Sequence, residues 1–307
     1  MGSADHQARR TRWWIRLVGP TIGVVLLSRL DTSEILAALT EVRGRPLALS
    51  LFLIMPFFLV KAWRWRLLLG AHGRRIRLLE AVELYTISAG AGSLTPGAIG
   101  DFWKAFSPVV GGRSIGLWTS TVDRLYDVGL LAVIGLLAVG AWIGNWTVRV
   151  TILLGLAVVL GLAWQLRGRL SGFVRSFLPI LPNKSLRQNG HEMKALAATV
   201  AAAAVAFWRF ELLAASLGLP LSWRQGFIAF ALTSGVAAMP LSVAGLGTRD
   251  VALVGYLGSY GISPANAIAL SSLCLALYLW NAVAAAAIWL IHPPARPRSP
   301  RNGMNPP

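Results

Sequence analysis

The segment Gly92-Ser-Leu-Thr-Pro-Gly-Ala-Ile-Gly-Asp101 interrupts a long apolar stretch with a Pro-Gly pair and ends on a carboxylate. A second such break, Met239-Pro-Leu-Ser-Val-Ala-Gly-Leu-Gly-Thr-Arg-Asp250, lies in the other half of the chain. Proline removes a backbone donor and glycine loosens the backbone, so neither segment continues a helix. Non-helical backbone at membrane depth needs protein or a wet cavity to satisfy its polar groups. Paired breaks in corresponding positions of two halves therefore predict a transporter-type binding site.

The composition is typical of a polytopic membrane protein. Of the 307 residues, 55% are apolar and 13% are charged, and the mean hydropathy is +0.61. Apolar runs of at least about 18 residues recur, which is the length that crosses a bilayer. The net charge of +17 comes from basic clusters beside these runs, a pattern typical of orientation signals and anionic-lipid contacts. We therefore expect membrane lipids as partners and no nucleic acid.

The apolar pattern predicts an all-α integral membrane protein with about six full spans and two re-entrant pairs of half-length helices. Residues 1–12 and 292–307 are predicted to be disordered, on either side of a single transmembrane domain at 13–291. The predicted full spans are 13–30, 46–69, 114–144, 148–166, 193–217 and 264–291, and the half-length pieces are 78–94, 96–110, 223–239 and 245–261.

The basic clusters assign an orientation to these spans. The N-terminus, residues 61–77, residues 167–187 and the C-terminal tail are rich in Lys and Arg, so they are predicted to be cytoplasmic. The first re-entrant pair then enters from the cytoplasm and the second from the opposite side. This predicts an inverted repeat, about 46–144 and 193–291, in a multi-pass membrane protein with both termini cytoplasmic.

Three short matches in the same order support the repeat. Ala62-Trp-Arg-Trp-Arg-Leu-Leu68 resembles Phe207-Trp-Arg-Phe-Glu-Leu-Leu213, and the two glycine-rich breaks resemble each other. Ser120-Thr121 in one closing span corresponds to Ser271-Ser272 in the other. The spacing between matched elements drifts from 145 to 151 residues, so the symmetry is approximate.

Charged residues beside the first break are candidates for ligand binding, because charge inside a membrane is costly. Asp101 and Lys104 follow Pro96, at a helix start whose free N–H groups favour an anion. Lys104 is then a candidate for contact with a lipid phosphate. Alternatively, Asp101 and Lys104 form a self-contained ion pair that fixes the helix start.

The remaining charged candidates have two readings each. Asp123, Arg124 and Asp127 lie on adjacent turns of one span, where Arg124 can reach Asp127 at i, i+3. They either line a cavity and pair with basic residues from the break region, or lie at the cytoplasmic edge of the membrane. Arg249 and Asp250 either complete the counterpart site or lie in an interfacial loop. The candidate substrate-binding set is Pro96, Gly97, Gly100, Asp101, Lys104, Asp123, Arg124, Asp127, Arg209, Gly245, Gly247, Arg249 and Asp250.

The two Trp-Arg motifs have different interpretations. Arg64, near a span end, is interpreted as an anchor that reaches the membrane surface. Arg209 lies deeper in its span, which favours a place at the cavity.

No sequence motif indicates a cofactor, a metal or a catalytic residue. The chain has no P-loop, GxSxG, HExxH or CxxC pattern, and its four histidines lack ligand spacing. Its single cysteine, Cys274, excludes an internal disulfide. We therefore expect a protein that is not an enzyme.

Four stretches resemble the transmembrane flippase-like region of the lysylphosphatidylglycerol synthetase/flippase family over about residues 13–291. They are Ala62-Trp-Arg-Trp-Arg-Leu-Leu68, Leu94-Thr-Pro-Gly-Ala-Ile-Gly-Asp101, Val122-Asp-Arg-Leu-Tyr-Asp127 and Pro240-Leu-Ser-Val-Ala-Gly-Leu-Gly-Thr-Arg-Asp250. This resemblance implies translocation of a phospholipid or an isoprenoid lipid between leaflets. It also implies a stand-alone member, since the chain has no room for the family's aminoacyl-transferase domain.

The leading hypothesis is a lipid transporter with a midplane cavity where the two breaks meet. Lys104, Arg124 and Arg249 would hold an anionic head group. One alternative is a membrane enzyme of lipid or glycan assembly that uses Asp101 or Asp123 as acid/base. Another is a non-transporting scaffold for a biosynthetic complex, and a homo-oligomer is compatible with each hypothesis.

Overall fold

The computed structural model describes residues 32–143, 146–148, 150–151, 154–155, 190–238 and 245–291. These residues are almost entirely helical, and no β-strand occurs among them. The α-helices are α1 (Thr32–Thr40), α2 (Gly44–Phe52), α3 (Ile54–Ala71), α4 (Leu78–Ser93), α5 (Arg113–Ile143), α6 (His191–Ser216), α7 (Trp223–Ala238), α8 (Thr248–Gly258) and α9 (Pro264–Ile291). Two 3₁₀ helices, Pro96–Phe106 and Pro108–Val110, lie between α4 and α5.

Four stretches of the described residues are long and apolar enough to cross a membrane. They are Gly44–Ala71, Arg113–Ile143, His191–Ser216 and Pro264–Ile291. Each agrees within two residues at either end with one of the predicted full spans. The predicted span 13–30, most of the predicted span 148–166, the connector 167–187 and the termini 1–12 and 292–307 lie outside the described residues.

The stretch Gly44–Ala71 is interrupted at Leu53, a break that the sequence analysis did not anticipate. Pro56 has no N–H to donate to the carbonyl of Phe52, and its ring crowds that carbonyl. As a result α2 ends at Phe52, and α3 restarts with Pro56 in its first turn, where a missing N–H costs little.

The first predicted break lies where the sequence places it, but the segment after it has a different geometry. α4 ends at Ser93, and the chain resumes at Pro96 as a 3₁₀ helix of 11 residues rather than an α-helix. Such runs rarely exceed about 3–4 residues, and long ones often mark strain or a hinge. Within this segment Ala98 has a positive φ of 54°. The bend is fixed by Thr95, whose Oγ1 accepts a hydrogen bond from the Gly100 N–H at 2.8 Å.

The second break is described only at its far end. α7 ends at Ala238, residues 239–244 lie outside the described part, and α8 begins at Thr248. Gly245 and Gly247, with φ of 79° and 77°, provide the positive-φ conformations that precede α8.

The packing partners exchange between the two parts of the chain. α4 packs against α9, whereas α7 packs against α5, so each helix that precedes a break contacts the long closing helix of the other part. α3 packs against α6. Gly90 permits the α4–α9 contact, because a β-carbon there would collide with Ala285. This arrangement brings both breaks to one interior region.

Candidate functional site

A cavity of about 270 Å³ lies where α3 to α9 converge. Ala98 and Asp101 from the first break contribute to its wall, and Ala237 and Arg249 contribute from the two sides of the second. The rest of the wall comes from α3, α4, α5, α6, α7 and α9 and includes apolar side chains such as Phe57. The cavity therefore has the concave, mostly apolar form with a few convergent polar groups that is typical of ligand sites.

The structure divides the predicted site residues into two groups. Asp101, Arg124, Asp127, Arg209 and Arg249 line the cavity. Gly100, Lys104, Asp123, Gly245, Gly247 and Asp250 lie in or behind its wall, and Pro96 and Gly97 are described only as the start of the 3₁₀ helix.

Arg64 is the centre of a buried ion cluster that joins α3, α5 and α6. Its Nε donates to Asp123 Oδ1 at 2.8 Å, and its Nη1 donates to Asp127 Oδ1 at 2.7 Å. Nη1 also reaches Thr199 Oγ1 at 3.0 Å, and Nη2 donates to the carbonyl of Asp123 at 3.0 Å. Arg64 has 0% of its surface exposed. The interpretation of Arg64 as a surface anchor is therefore wrong, because its charge is neutralised inside the bundle.

Lys104 extends this cluster towards the first break and does not face the cavity. Its Nζ lies 2.7 Å from Asp123 Oδ2, which also accepts a hydrogen bond from the Tyr85 hydroxyl at 2.9 Å. The same ammonium lies 3.7 Å from the centre of the Tyr85 ring, which adds a cation–π contact. Every strong partner of Lys104 is thus an internal one.

Asp101 pairs with Arg124 rather than with Lys104. Arg124 Nη1 lies 3.0 Å from Asp101 Oδ2, and the two side chains are 29% and 26% exposed. Asp101 lies against Gly92, where a β-carbon would collide with the carboxylate. Both members line the cavity, and this pair is the most exposed of the ion pairs among the described residues.

Lys61 is a cavity residue that the sequence analysis missed. Its Nζ lies 2.9 Å from Asp127 Oδ2 and 5.0 Å from the centre of the Phe57 ring. The available signal was a lysine three residues before Arg64 in an apolar span, a spacing that puts both side chains on one helix face.

Arg249, at the start of α8, is held by α9 through neutral groups. Its Nε donates to Ser271 Oγ at 2.8 Å and its Nη2 to the Ser271 carbonyl at 2.8 Å. Asp250 makes no direct ion pair with Arg249 in the described part of the chain; one of its carboxylate oxygens accepts from the Ser271 hydroxyl and the other from the Gly247 N–H at 3.0 Å. Arg249 Nη1 is buried and has no hydrogen-bond partner among the described residues.

Arg209 has a similar environment on α6. Its Nε donates to the Ser50 carbonyl at 3.2 Å, and Ser50 Oγ donates in return to the Arg209 carbonyl at 3.1 Å. Its guanidinium lies 5.5 Å from the centre of the Phe57 ring. Arg209 Nη2 is buried without a hydrogen-bond partner in the described part of the chain. Arg209 and Arg249 are 4% and 2% exposed, so both charges are withdrawn from solvent.

A family comparison agrees with the membrane-length helices. The family model described as lysylphosphatidylglycerol synthase TM region matches residues 14–286. The chain belongs to this family. Membership confirms the resemblance seen in the sequence and covers both breaks and every residue of the cavity wall. Among curated proteins, none matches the chain.

Family membership and the four membrane-length helices together establish a multi-pass membrane protein of a lipid-related family. Across the residues that the structure describes, no group of three or more His, Cys, Asp or Glu side chains is arranged to hold a metal ion. What the site offers chemically is a set of buried cations, two of which, Arg209 and Arg249, each have a nitrogen without a hydrogen-bond partner among the described residues.

Proposed function

We propose that this protein is a lipid transporter that moves a lipid with an anionic head group between the leaflets of the bacterial inner membrane. The observation that carries this proposal is the pair of buried arginines on the cavity wall, Arg209 and Arg249. A buried charge without a partner is costly, so a site that keeps two of them favours a ligand of opposite charge.

The size of the cavity supports a head group as the bound part. About 270 Å³ is smaller than the usual range for pockets that hold whole drug-sized ligands. The acyl or isoprenoid chains would remain in the surrounding lipid, because moving them from lipid into an equally apolar protein interior brings no gain in free energy.

The proposed mechanism is alternating access between two inverted halves within six spans, with both termini cytoplasmic. The exchange of packing partners, α4 with α9 and α7 with α5, supports this symmetry, since each contact has its counterpart in the other half. Rocking one half against the other would expose the cavity to each leaflet in turn.

The charged residues then have separate roles. Arg209 and Arg249 bind the head group, and the accessible Arg124–Asp101 pair adjusts to it at the cavity wall. Lys104 and Asp123 act as positioning residues, because they hold the 3₁₀ segment against α5 without touching the cavity.

A vesicle assay tests the proposal. Purified protein is reconstituted into phosphatidylcholine vesicles with fluorescent phosphatidylglycerol, and outer-leaflet fluorescence is quenched by dithionite. We expect Arg249→Gln to slow translocation by about 10-fold or more, since a charge-assisted hydrogen bond contributes roughly 1.5–3 kcal/mol. Arg66→Gln is the matched control, because Arg66 is exposed and remote from the cavity wall. Equal rates for wild type and Arg249→Gln, or no translocation by wild type, would contradict the proposal.

Neither alternative gains specific support. Asp101 and Asp123, the carboxylates that a membrane enzyme would use as acid or base, are each ion-paired with a cation. A scaffold would function normally after Arg249 is neutralised, so complementation of a deletion strain by Arg249→Gln separates it from a transporter.

A further inference from the structure

We propose that Arg209 and Arg249 form an altered copy of the Arg64 ion cluster, in which a lipid phosphate replaces the carboxylates that the copy has lost. This inference rests on the proposed function, because it names the ligand chemistry and the subsite within the same cavity. It is carried by a correspondence between the two halves and by two buried guanidinium groups, each of which has one nitrogen without a hydrogen-bond partner among the described residues.

Arg64 and Arg209 occupy matching places in the two halves. Arg64 and Arg209 are the arginines of the two repeated Trp-Arg motifs, and both are buried. Each reaches into the other half of the bundle, Arg64 to Thr199 on α6 and Arg209 to the Ser50 carbonyl on α2. α3 and α6, which carry them, pack against each other. The equivalence is therefore seen in both sequence and contacts.

The acidic partners of Arg64 have no acidic counterparts. The register that matches Ser120 with Ser271 also matches Asp123 with Cys274 and Asp127 with Tyr278. Cys274 and Tyr278 both line the cavity.

Cys274 and Tyr278 also lie where the correspondence requires. They line the same cavity as Arg209 and Arg249. The copy thus keeps the arginine of the Trp-Arg motif and places neutral groups where the first cluster has carboxylates.

The missing negative charge selects the ligand. In the first cluster Asp123 and Asp127 fill the donors of Arg64, whereas Arg209 Nη2 and Arg249 Nη1 have no partners among the described residues. In the part of the chain that the structure describes, Asp250 makes no direct ion pair with either arginine; its oxygens accept from Ser271 and Gly247, so the two free nitrogens are left to a ligand. Guanidinium groups match the geometry of phosphate oxygens, and two of them at one wall suit a phosphate with at least two free oxygens. The same charges repel a purely cationic head group.

Restoring the lost carboxylate is the decisive experiment. Cys274→Asp supplies an internal counter-ion to Arg209 and Arg249, so it competes with phosphate. Cys274→Asn has nearly the same shape without the charge, and the comparison between the two isolates electrostatics from packing. Binding is measured by isothermal titration calorimetry on the full chain in an uncharged maltoside detergent. The titrants are dihexanoyl phosphatidate, sodium phosphate and dihexanoylglycerol.

The expected result is that wild type binds phosphatidate but not dihexanoylglycerol. Cys274→Asp should bind phosphatidate at least about 10-fold more weakly than Cys274→Asn. Its thermal midpoint should be no lower than that of Cys274→Asn, since it gains a buried ion pair. If Cys274→Asp does not fold, Arg209→Gln supplies the same test through loss of affinity. Equal affinities of the Asp and Asn variants, or of Arg209→Gln and wild type, would overturn the inference.

Three further outcomes test the ligand and distinguish this inference from the proposed function. Sodium phosphate binding as tightly as phosphatidate would overturn the assignment to a lipid. If wild type binds phosphatidate in the expected pattern but translocates no lipid, the binding site is supported and the transport function is contradicted. Conversely, if Cys274→Asp translocates lipid at the wild-type rate, the proposed phosphate site is contradicted and the transport function is supported.

Discussion

Arg64 and Arg249 show two solutions to the same physical problem. Both guanidinium groups lie inside a helical bundle, where an unpaired charge is strongly destabilising. Arg64 is neutralised by two carboxylates and a threonine hydroxyl, so its cluster is internally complete. Arg249 is held by a serine and keeps one nitrogen unpartnered among the described residues. We expect the complete cluster to stabilise the fold, and we propose that the incomplete one takes part in ligand recognition.

Substitution of Arg64 therefore tests stability rather than binding. Arg64→Gln leaves Asp123 and Asp127 buried with fewer counter-charges, and we expect a loss of about 3–5 kcal/mol in the free energy of unfolding. Denaturation by sodium dodecyl sulphate in mixed micelles measures it. Arg75→Gln, in the exposed loop after α3, should change stability by no more than about 0.5 kcal/mol. Comparable losses in both variants would show that the Arg64 cluster is not stabilising.

At this scale the sequence predicted which residues carry charge into the membrane. One of its readings, that acidic residues of α5 pair with basic residues of the first break, agrees with the Lys104–Asp123 pair, but the other pairs were not predicted. The helical spacing suggested that Asp101 would meet Lys104, and that Arg124 would reach Asp127. The structure pairs Lys104 with Asp123 and Arg124 with Asp101 instead. Those partners lie on a different element, and spacing along one helix carries no information about contacts between elements.

Among the elements, the 3₁₀ helix Pro96–Phe106 is the least regular. Its outer face is apolar, with Ile99, Trp103 and Phe106 exposed, whereas Lys104 is buried against α5. The Pro-Gly pair in the sequence predicted a break, and the break is present. Its 3₁₀ form was not predictable from the sequence, because that form depends on the Thr95 bridge to Gly100 and on the close approach of Gly100 to the Ala91 backbone.

The conformation of Ala98 gives a test of this element. A left-handed backbone costs a residue with a β-carbon roughly 1–2 kcal/mol, and a β-branched residue more. Ala98→Gly should therefore leave the free energy of unfolding unchanged or raise it by up to about 1 kcal/mol. Ala98→Val at the same position should lower it by about 1–3 kcal/mol. Thermal unfolding in detergent measures both, and a stabilising valine would show that the residue does not adopt this conformation.

Over the whole molecule, the sequence predicted the four membrane-length stretches of the described residues within two positions. The length of a long apolar run matches the thickness of the bilayer, so the ends of a membrane-spanning helix can be located from the sequence. The pairing of α4 with α9 and of α7 with α5 was not predictable in the same way. It depends on contacts such as Gly90 with Ala285, which join residues far apart in the chain.

The proposed orientation makes a prediction about two exposed loops. Arg75, after α3, should lie on the cytoplasmic side, and Pro220, after α6, on the opposite side, because basic loops are retained inside. In spheroplasts a membrane-impermeant maleimide should label Pro220→Cys and should label Arg75→Cys only after lysis. The parent chain is the blank, since its single thiol, Cys274, is buried. Labelling of both positions from one side would exclude the proposed orientation.

The exchange of α4 and α9 also has a consequence for biogenesis. Because α4 packs against α9, its partner becomes available only after that 28-residue helix has left the ribosome and entered the bilayer. Until then the Gly90 face of α4 can be covered only by lipid or by an insertion chaperone. A nascent chain that stops before Pro264 would expose that face, which would mark the incomplete product for membrane proteases.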